Sequence, residues 1–248
     1  MRIHIVAPIT TPGLSRVEDF TDYAAPGTEV TVSILQEGPA SIESQFDEAI
    51  AVPEVLRGVL DAQESGADAV IIDCMGDPGL GAAREIARIP VFGPGQTSMH
   101  VAALMALNFS ILTTGASVEG IFHDLVRRYG MTDQVNSIRT VDVPVLELGA
   151  EELLRERLQR QAELAHDEDG AHAIILGCTG MRGWARMLQD HLAATGRTPI
   201  PVIDPIAATF SVAQALAGIG LAPSVRSYPS PPRKPVAGFE ELMAVMGR

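Results

Sequence analysis

Gly66-Ala67-Asp68-Ala69-Val70-Ile71-Ile72-Asp73-Cys74 returns later in the chain as Gly170-Ala171-His172-Ala173-Ile174-Ile175-Leu176-Gly177-Cys178. Each copy centres on a short apolar run rich in β-branched residues, 69–72 or 173–176, which is how a strand buried on both faces reads. Each ends in one of the chain's 2 cysteines and passes into a glycine-containing turn, Met75-Gly76 or Thr179-Gly180. Ligands of parallel α/β sheets bind beyond the carboxyl ends of strands. The repeat therefore predicts two related halves facing one cleft, with a thiol on each side.

Working outward, the halves keep the same order. Ile5-Val6-Ala7-Pro8 opens the first, and Ser110-Ile111-Leu112-Thr113-Thr114 is its counterpart. Pro90-Val91-Phe92-Gly93-Pro94 follows the first cysteine, and Pro201-Val202-Ile203-Asp204-Pro205 follows the second. Strands are expected at residues 3–7, 29–35, 69–73, 91–92, 109–113, 138–141, 173–176 and 202–203. Helical stripes lie between them: Leu56, Val59 and Leu60 after Pro53; Met99, Ala102, Ala103 and Ala106; Ile121, Phe122, Leu125 and Val126; Leu154, Leu158, Ala162 and Ala165; Trp184, Met187, Leu188 and Leu192; and Val212, Ala213 and Leu216. This alternation predicts an α/β fold of two pseudo-symmetric lobes, each a mostly parallel sheet flanked by helices, with the active site in the cleft between them. Residues 1–100 with 206–248 are expected to form one lobe and 101–205 the other. The proline-rich tail from Tyr228 reads as an extended surface segment, with a short helix from Gly238 onward.

Composition narrows the function. A net charge of −13 over 248 residues argues against nucleic acid, whose phosphates call for Lys and Arg, and against anionic membranes. Aromatic residues, at 4%, are too few for a base-stacking platform. No apolar run reads as a membrane span. Met1-Arg2-Ile3-His4-Ile5-Val6 enters a strand with no apolar leader, so a cytoplasmic location is expected, where free thiols outnumber disulfides.

A thiol on each side of a cleft suits removal of a proton from one face of a carbon α to a carbonyl and return of one to the other face. The thiolate is the base and the thiol the acid, so opposite protonation states are expected, with turn N–H groups lowering a thiol pKa. The same N–H groups can hold an enolate oxygen. Cys74 and Cys178 are thus the candidate catalytic pair. Pro8, Thr10, Thr11, Met75, Gly76, Thr113, Thr114, Thr179 and Gly180 are the candidate substrate contacts, although the threonines equally suit helix N-caps. A lone cysteine is more often a buried apolar filler; it is the duplication that argues for chemistry. Asp77 reads as an acceptor within its own Pro78-Gly79 turn, and Asp204 as an N-cap before Pro205. Gly93-Pro94-Gly95-Gln96-Thr97-Ser98 faintly resembles a phosphate loop but lacks its GK[ST] ending. His4, His100, His123, His166, His172 and His191 have no metal-ligand spacing. No metal and no cofactor are expected.

Cys74-Met75-Gly76-Asp77-Pro78-Gly79-Leu80, followed by Ala82-Ala83-Arg84-Glu85, resembles the first cysteine motif of hydantoin racemases. Leu176-Gly177-Cys178-Thr179-Gly180-Met181 is similar to their second. The resemblance runs through nearly the whole chain and places it in the aspartate/glutamate/hydantoin racemase superfamily. It implies cofactor-independent racemisation or epimerisation of a 5-substituted hydantoin or related cyclic ureide such as allantoin, with Cys74 and Cys178 as the acid/base pair in a homo-oligomer. Ala7-Pro8-Ile9-Thr10 departs from the Asn-Pro-Asn-Thr type of opening, which bears on the substrate. Amino-acid racemase, maleate-type cis–trans isomerase and decarboxylase are the neighbouring activities. A small-molecule or redox sensor is the reading from outside enzymes.

Overall fold

Two four-stranded parallel sheets with the same strand order frame the computed structural model, which describes residues 1–232, 234–240 and 242–243. The first is ordered β2-β1-β3-β4, from β1 (Arg2–Ala7), β2 (Glu29–Ile34), β3 (Ala69–Ile72) and β4 (Val91–Phe92). The second is ordered β6-β5-β7-β8, from β5 (Phe109–Thr113), β6 (Val135–Thr140), β7 (Ile174–Leu176) and β8 (Val202–Ile203). β3 pairs Ile71 with Ile5 of β1, and β7 pairs Ile175 with Ile111 of β5. Each cysteine lies three residues beyond that paired isoleucine, so the two thiols hold equivalent places in the two sheets. β6 begins at Val135, earlier than expected, and Asp73 lies just past the end of β3.

The helices are α1 (Glu18–Thr21), α2 (Gln45–Glu64), α3 (Leu80–Ile86), α4 (Pro94–Met105), α5 (Glu119–Arg128), α6 (Glu151–Asp167), α7 (Trp184–Ala194) and α8 (Pro205–Gly218). Two of them exchange partners. α4 leaves the first sheet and packs Met99 and Ala102 with Phe109, Ile111, Ala173 and Ile175 of the second. α8 leaves the second sheet and packs Ile206, Phe210 and Ala213 with Ile3, Ile5, Ala69, Ile71 and Phe92 of the first. Each sheet is therefore covered on one face by a helix that follows the other.

α2 corrects the sequence reading. The sequence shows its apolar stripe only after Pro53, a residue that suits the first turn of a helix. The helix instead begins at Gln45, where the Ser44 hydroxyl caps it by accepting the Asp47 N–H at 3.2 Å. Pro53 stays inside it. The cap supplies a nucleus upstream, and the two turns so added carry a residue of the site. In the tail, residues 228–232 are neither helix nor strand. Tyr228 is held there by Arg84, which donates to its hydroxyl at 3.2 Å and stacks over its ring. The short helix expected from Gly238 onward falls largely on residues outside those described.

Candidate active site

The carboxyl ends of β1, β3, β5 and β7 converge on one cavity of about 70 Å³. By the space one water needs, it holds roughly half a dozen, so it suits a small ring rather than a nucleotide. Cys74 and Cys178 line it from opposite sheets, together with Pro8, Met75, Gly76, Thr113, Thr114, Thr179 and Gly180. The remaining wall is largely apolar, with Ile9, Leu14 and Ile42 from one half and Val118, Ile121, Phe122 and Val145 from the other. Thr10 and Thr11, expected at the substrate, do not line it. Their hydroxyls donate to the carbonyls of Pro39 at 3.2 Å and Ala40 at 2.8 Å, so they fasten the loop that leads to Ile42.

The Gly76 N–H lies against the Cys74 sulfur and the Gly180 N–H against that of Cys178. Sequence reasoning expects such donors to lower a thiol pKa, but burial wins. Desolvation, opposed only in part by those N–H groups, pushes Cys178 up to about 11 and Cys74 well above its usual value. Burial disfavours the charged form, so both thiols favour the protonated form at neutral pH. This corrects the expectation of one resting thiolate and one thiol.

Asp77 does not serve its own turn. It sits at a left-handed φ of 53° and reaches α4, where its carboxyl accepts the N–H of Gly95 at 2.9 Å and of Gln96 at 2.7 Å. Tyr129, from the end of α5, donates its hydroxyl to the same group at 2.6 Å. The N-terminus of α4, which faintly resembles a phosphate loop in sequence, is thus filled by a carboxyl of the protein itself. A Cβ at Gly93 would overlap the Asp77 carboxyl, and one at Gly95 the Met75 carbonyl oxygen with Asp77 close behind, so those glycines answer to this packing. Asp204 does the matching work in the other half. It caps α8 by accepting from Ile206 at 2.9 Å and Ala207 at 3.3 Å, and accepts the Gly183 N–H of the second cysteine loop at 2.7 Å. Both cysteine loops are therefore tied by a carboxyl to the start of a helix. Further ties cross the cleft: Arg182 to Asp19 at 2.7 Å, and the Val145 N–H to Glu43 at 2.8 Å. His100 does not line the cavity; its ring pairs with the Gln96 carbonyl at 2.8 Å on α4. Among the described residues no three His, Cys, Asp or Glu side chains group as a metal site, and no helix is long and apolar enough to cross a membrane.

The two acidic lining residues escape the sequence reading: Glu48, on the first turn of α2, and Asp73. Glu48 packs against Gly76 so closely that a Cβ there would overlap its carboxyl. Ser44 with Asp47 three residues on, a helix-start signal, marks the turn that carries Glu48. Asp73 is marked by a break in the repeat directly before the cysteine, opposite Gly177. Burial, reinforced by Asp77, pushes the Glu48 carboxyl up to about 7. The folded protein therefore binds that proton more tightly than the unfolded chain, and stability falls as pH rises from about 4.5 to about 7. Glu48→Gln is expected to stabilise the protein at pH 8 by roughly 1–2 kcal/mol relative to its effect at pH 5, after allowing for partial exposure. Thermal melts of both proteins at the two pH values check this; an equal difference at both would contradict it.

A pair of thiols at equivalent strand ends of a duplicated α/β frame defines the class. The Asp/Glu/Hydantoin racemase family model matches residues 14–213, and the chain belongs to that family; it is an isomerase of the racemase class. A hydantoin racemase of Rhizobium meliloti is 39% identical over 97% of this chain and 99% of its own length. The solved allantoin racemase from Klebsiella pneumoniae is 37% identical and superposes with a TM-score of 0.88 over 97% of this chain and 98% of that one. Arylmalonate decarboxylase, at 18% identity and a TM-score of 0.65 over 89% of this chain and 95% of that one, shares the fold.

Proposed function

We propose that the protein racemises a small 5-substituted hydantoin or a related cyclic ureide by two-base proton transfer between Cys74 and Cys178. The observation that carries this reading is the facing pair of thiols in one small, mostly apolar cavity, each with a glycine N–H at its sulfur. One sulfur, once ionised, takes the proton from the carbon α to the ring carbonyl. The opposite thiol gives its proton to the other face, and the protonation states of the pair are exchanged. Apolar walls exclude water and strengthen every polar contact inside. The Gly76 and Gly180 N–H groups serve the sulfurs and the developing enolate oxygen. The names of the relatives support the substrate class, and allantoin, a hydantoin with a ureido substituent, falls within it.

The test follows the optical activity of single-enantiomer 5-substituted hydantoins in deuterated buffer, with no added metal or cofactor. Loss of optical activity with one solvent deuterium gained at the ring carbon is the expected result. Turnover of none of a small, an aromatic and a ureido-substituted hydantoin would sink the reading.

A further inference from the structure

Glu48 and Asp73 enter the cavity from different elements, α2 and the end of β3. Each leaves one carboxyl oxygen, Glu48 Oε1 and Asp73 Oδ1, buried and without a hydrogen-bond partner among the described residues. They are two of only four such side-chain atoms there, and both belong to residues that line the thiol cavity. The Asp73 carboxyl is otherwise engaged by two hydroxyls, Ser15, which donates to its second oxygen at 2.7 Å, and Thr179 beside it. Leaving a buried acceptor unsatisfied costs about 1–3 kcal/mol, and such groups in a folded protein call for an explanation. Two of them in an otherwise apolar wall mark a place where a ligand completes the hydrogen bonds.

Their placement relative to the thiols sharpens this. Glu48 acts electrostatically on Cys74 beside Asp77, and Asp73 acts on Cys178 beside Glu43; of these four only Glu48 and Asp73 line the cavity, one for each thiol. The duplication did not produce this pair. The second half has Gly177 where the first has Asp73, and a Cβ at Gly177 would lie 2.8 Å from the Leu112 carbonyl oxygen. A carboxyl at that register is possible in one half only, as expected of groups that read an asymmetric ring.

We infer that Glu48 and Asp73 determine specificity, each accepting one ring N–H, so that the substrate is a cyclic ureide with both ring nitrogens unsubstituted. This rests on the racemase reading proposed above. A hydantoin carries an N–H on either side of its central carbonyl, one donor for each carboxyl. Methylation of a nitrogen removes the donor and sets a methyl group against a carboxyl oxygen. Sites built around buried polar groups reject analogues that leave those groups unpaired far more strongly than sites of shape alone. Burial raises both carboxyls above their usual range, and the neutral and the charged form alike accept a ring N–H through an oxygen.

Calorimetric titration of the wild-type protein with 5-methylhydantoin and its N1-methyl and N3-methyl derivatives tests this without relying on turnover. Each methylation is expected to weaken binding at least tenfold. Each penalty should collapse to within about twofold in one of two variants that lack the acceptor, Glu48→Met or Asp73→Ala, and persist in Glu48→Gln and Asp73→Asn, which keep a carbonyl oxygen. If either methylated ligand binds wild type within twofold of the parent, the inference is overturned, and that comparison decides even if a variant fails to fold. Binding with this N–H dependence but no racemisation would overturn the proposed function and leave the recognition standing. Racemisation indifferent to N-methylation would do the reverse, and no binding of any of the three would remove both.

Discussion

Cys74→Ser and Cys178→Ser are each expected to lower the rate of racemisation by about 10³-fold or more while leaving the fold intact. The single atom replaced is buried in a cavity wall, and serine fits the same space. Its hydroxyl is a far weaker acid than a thiol, so one face of the ring loses its proton donor or acceptor, and positioned acid–base groups typically contribute 10²–10⁴-fold. The raised thiol pKa values add a second signature. With both sulfurs favouring the protonated form, the active fraction is the small population that has lost one proton. That fraction grows tenfold per pH unit below the lower of the two pKa values, so kcat/KM should climb with pH from 7 toward 9. A polarimetric rate profile for the wild type and both variants checks each point. A flat profile, or either variant retaining a tenth of the activity, would speak against two buried thiols sharing the chemistry.

Asp77→Ala is expected to cost about 2–4 kcal/mol of stability and most of the activity. Its carboxyl takes three donors, two of them N–H groups at the start of α4. Without it the buried Gly95 donor is stranded at about 1–3 kcal/mol and the half-buried Gln96 donor at the low end of that range, while the half-buried Tyr129 hydroxyl can turn to water. The carboxyl is itself pushed up to about 6 by burial against the pull of its donors, which offsets part of the loss and keeps the figure moderate. For a chain of this size the melting temperature should fall by roughly 5–12 °C. The catalytic cost arises because Asp77 adjoins Gly76, whose N–H attends the Cys74 sulfur. Asp77→Asn, which keeps one acceptor oxygen, should fall between the two. Urea titration beside the activity assay separates the effects, since the kcat loss should persist well below the unfolding midpoint.

The frame and the thiols are legible in the sequence because they rest on local signals. Buried parallel strands announce themselves as apolar runs, and an internal repeat aligns Cys74 with Cys178 along the chain itself. What escapes depends on contacts distant in sequence. Asp77 looks like a turn residue because its partners at Gly95, Gln96 and Tyr129 are brought to it only by the fold. Thr10 and Thr11 stand at a strand end where ligands bind, yet the loop at Pro39 and Ala40 claims their hydroxyls. Glu48 is hidden by Pro53, whose preference for helix starts outweighs the Ser44 cap upstream. The protonation of the cysteines escapes for a different reason. Sequence reveals the N–H groups that favour a thiolate, but not the dry, enclosed wall that opposes one.

The exchange of α4 and α8 says something about how such a chain could have arisen. Cut between the halves, each fragment would carry one helix with no sheet of its own to cover and one sheet face left bare. Two such fragments satisfy one another, as a domain-swapped dimer does. The present chain has the shape of that dimer with its two copies joined end to end. Joining freed each copy to change separately, and the cleft shows the result: Asp73 in one copy faces the place where the other keeps Gly177. In the proposed reaction a symmetric pair of thiols serves two mirror-image substrates, and an unsymmetrical pair of carboxyls suits a ring that has no symmetry.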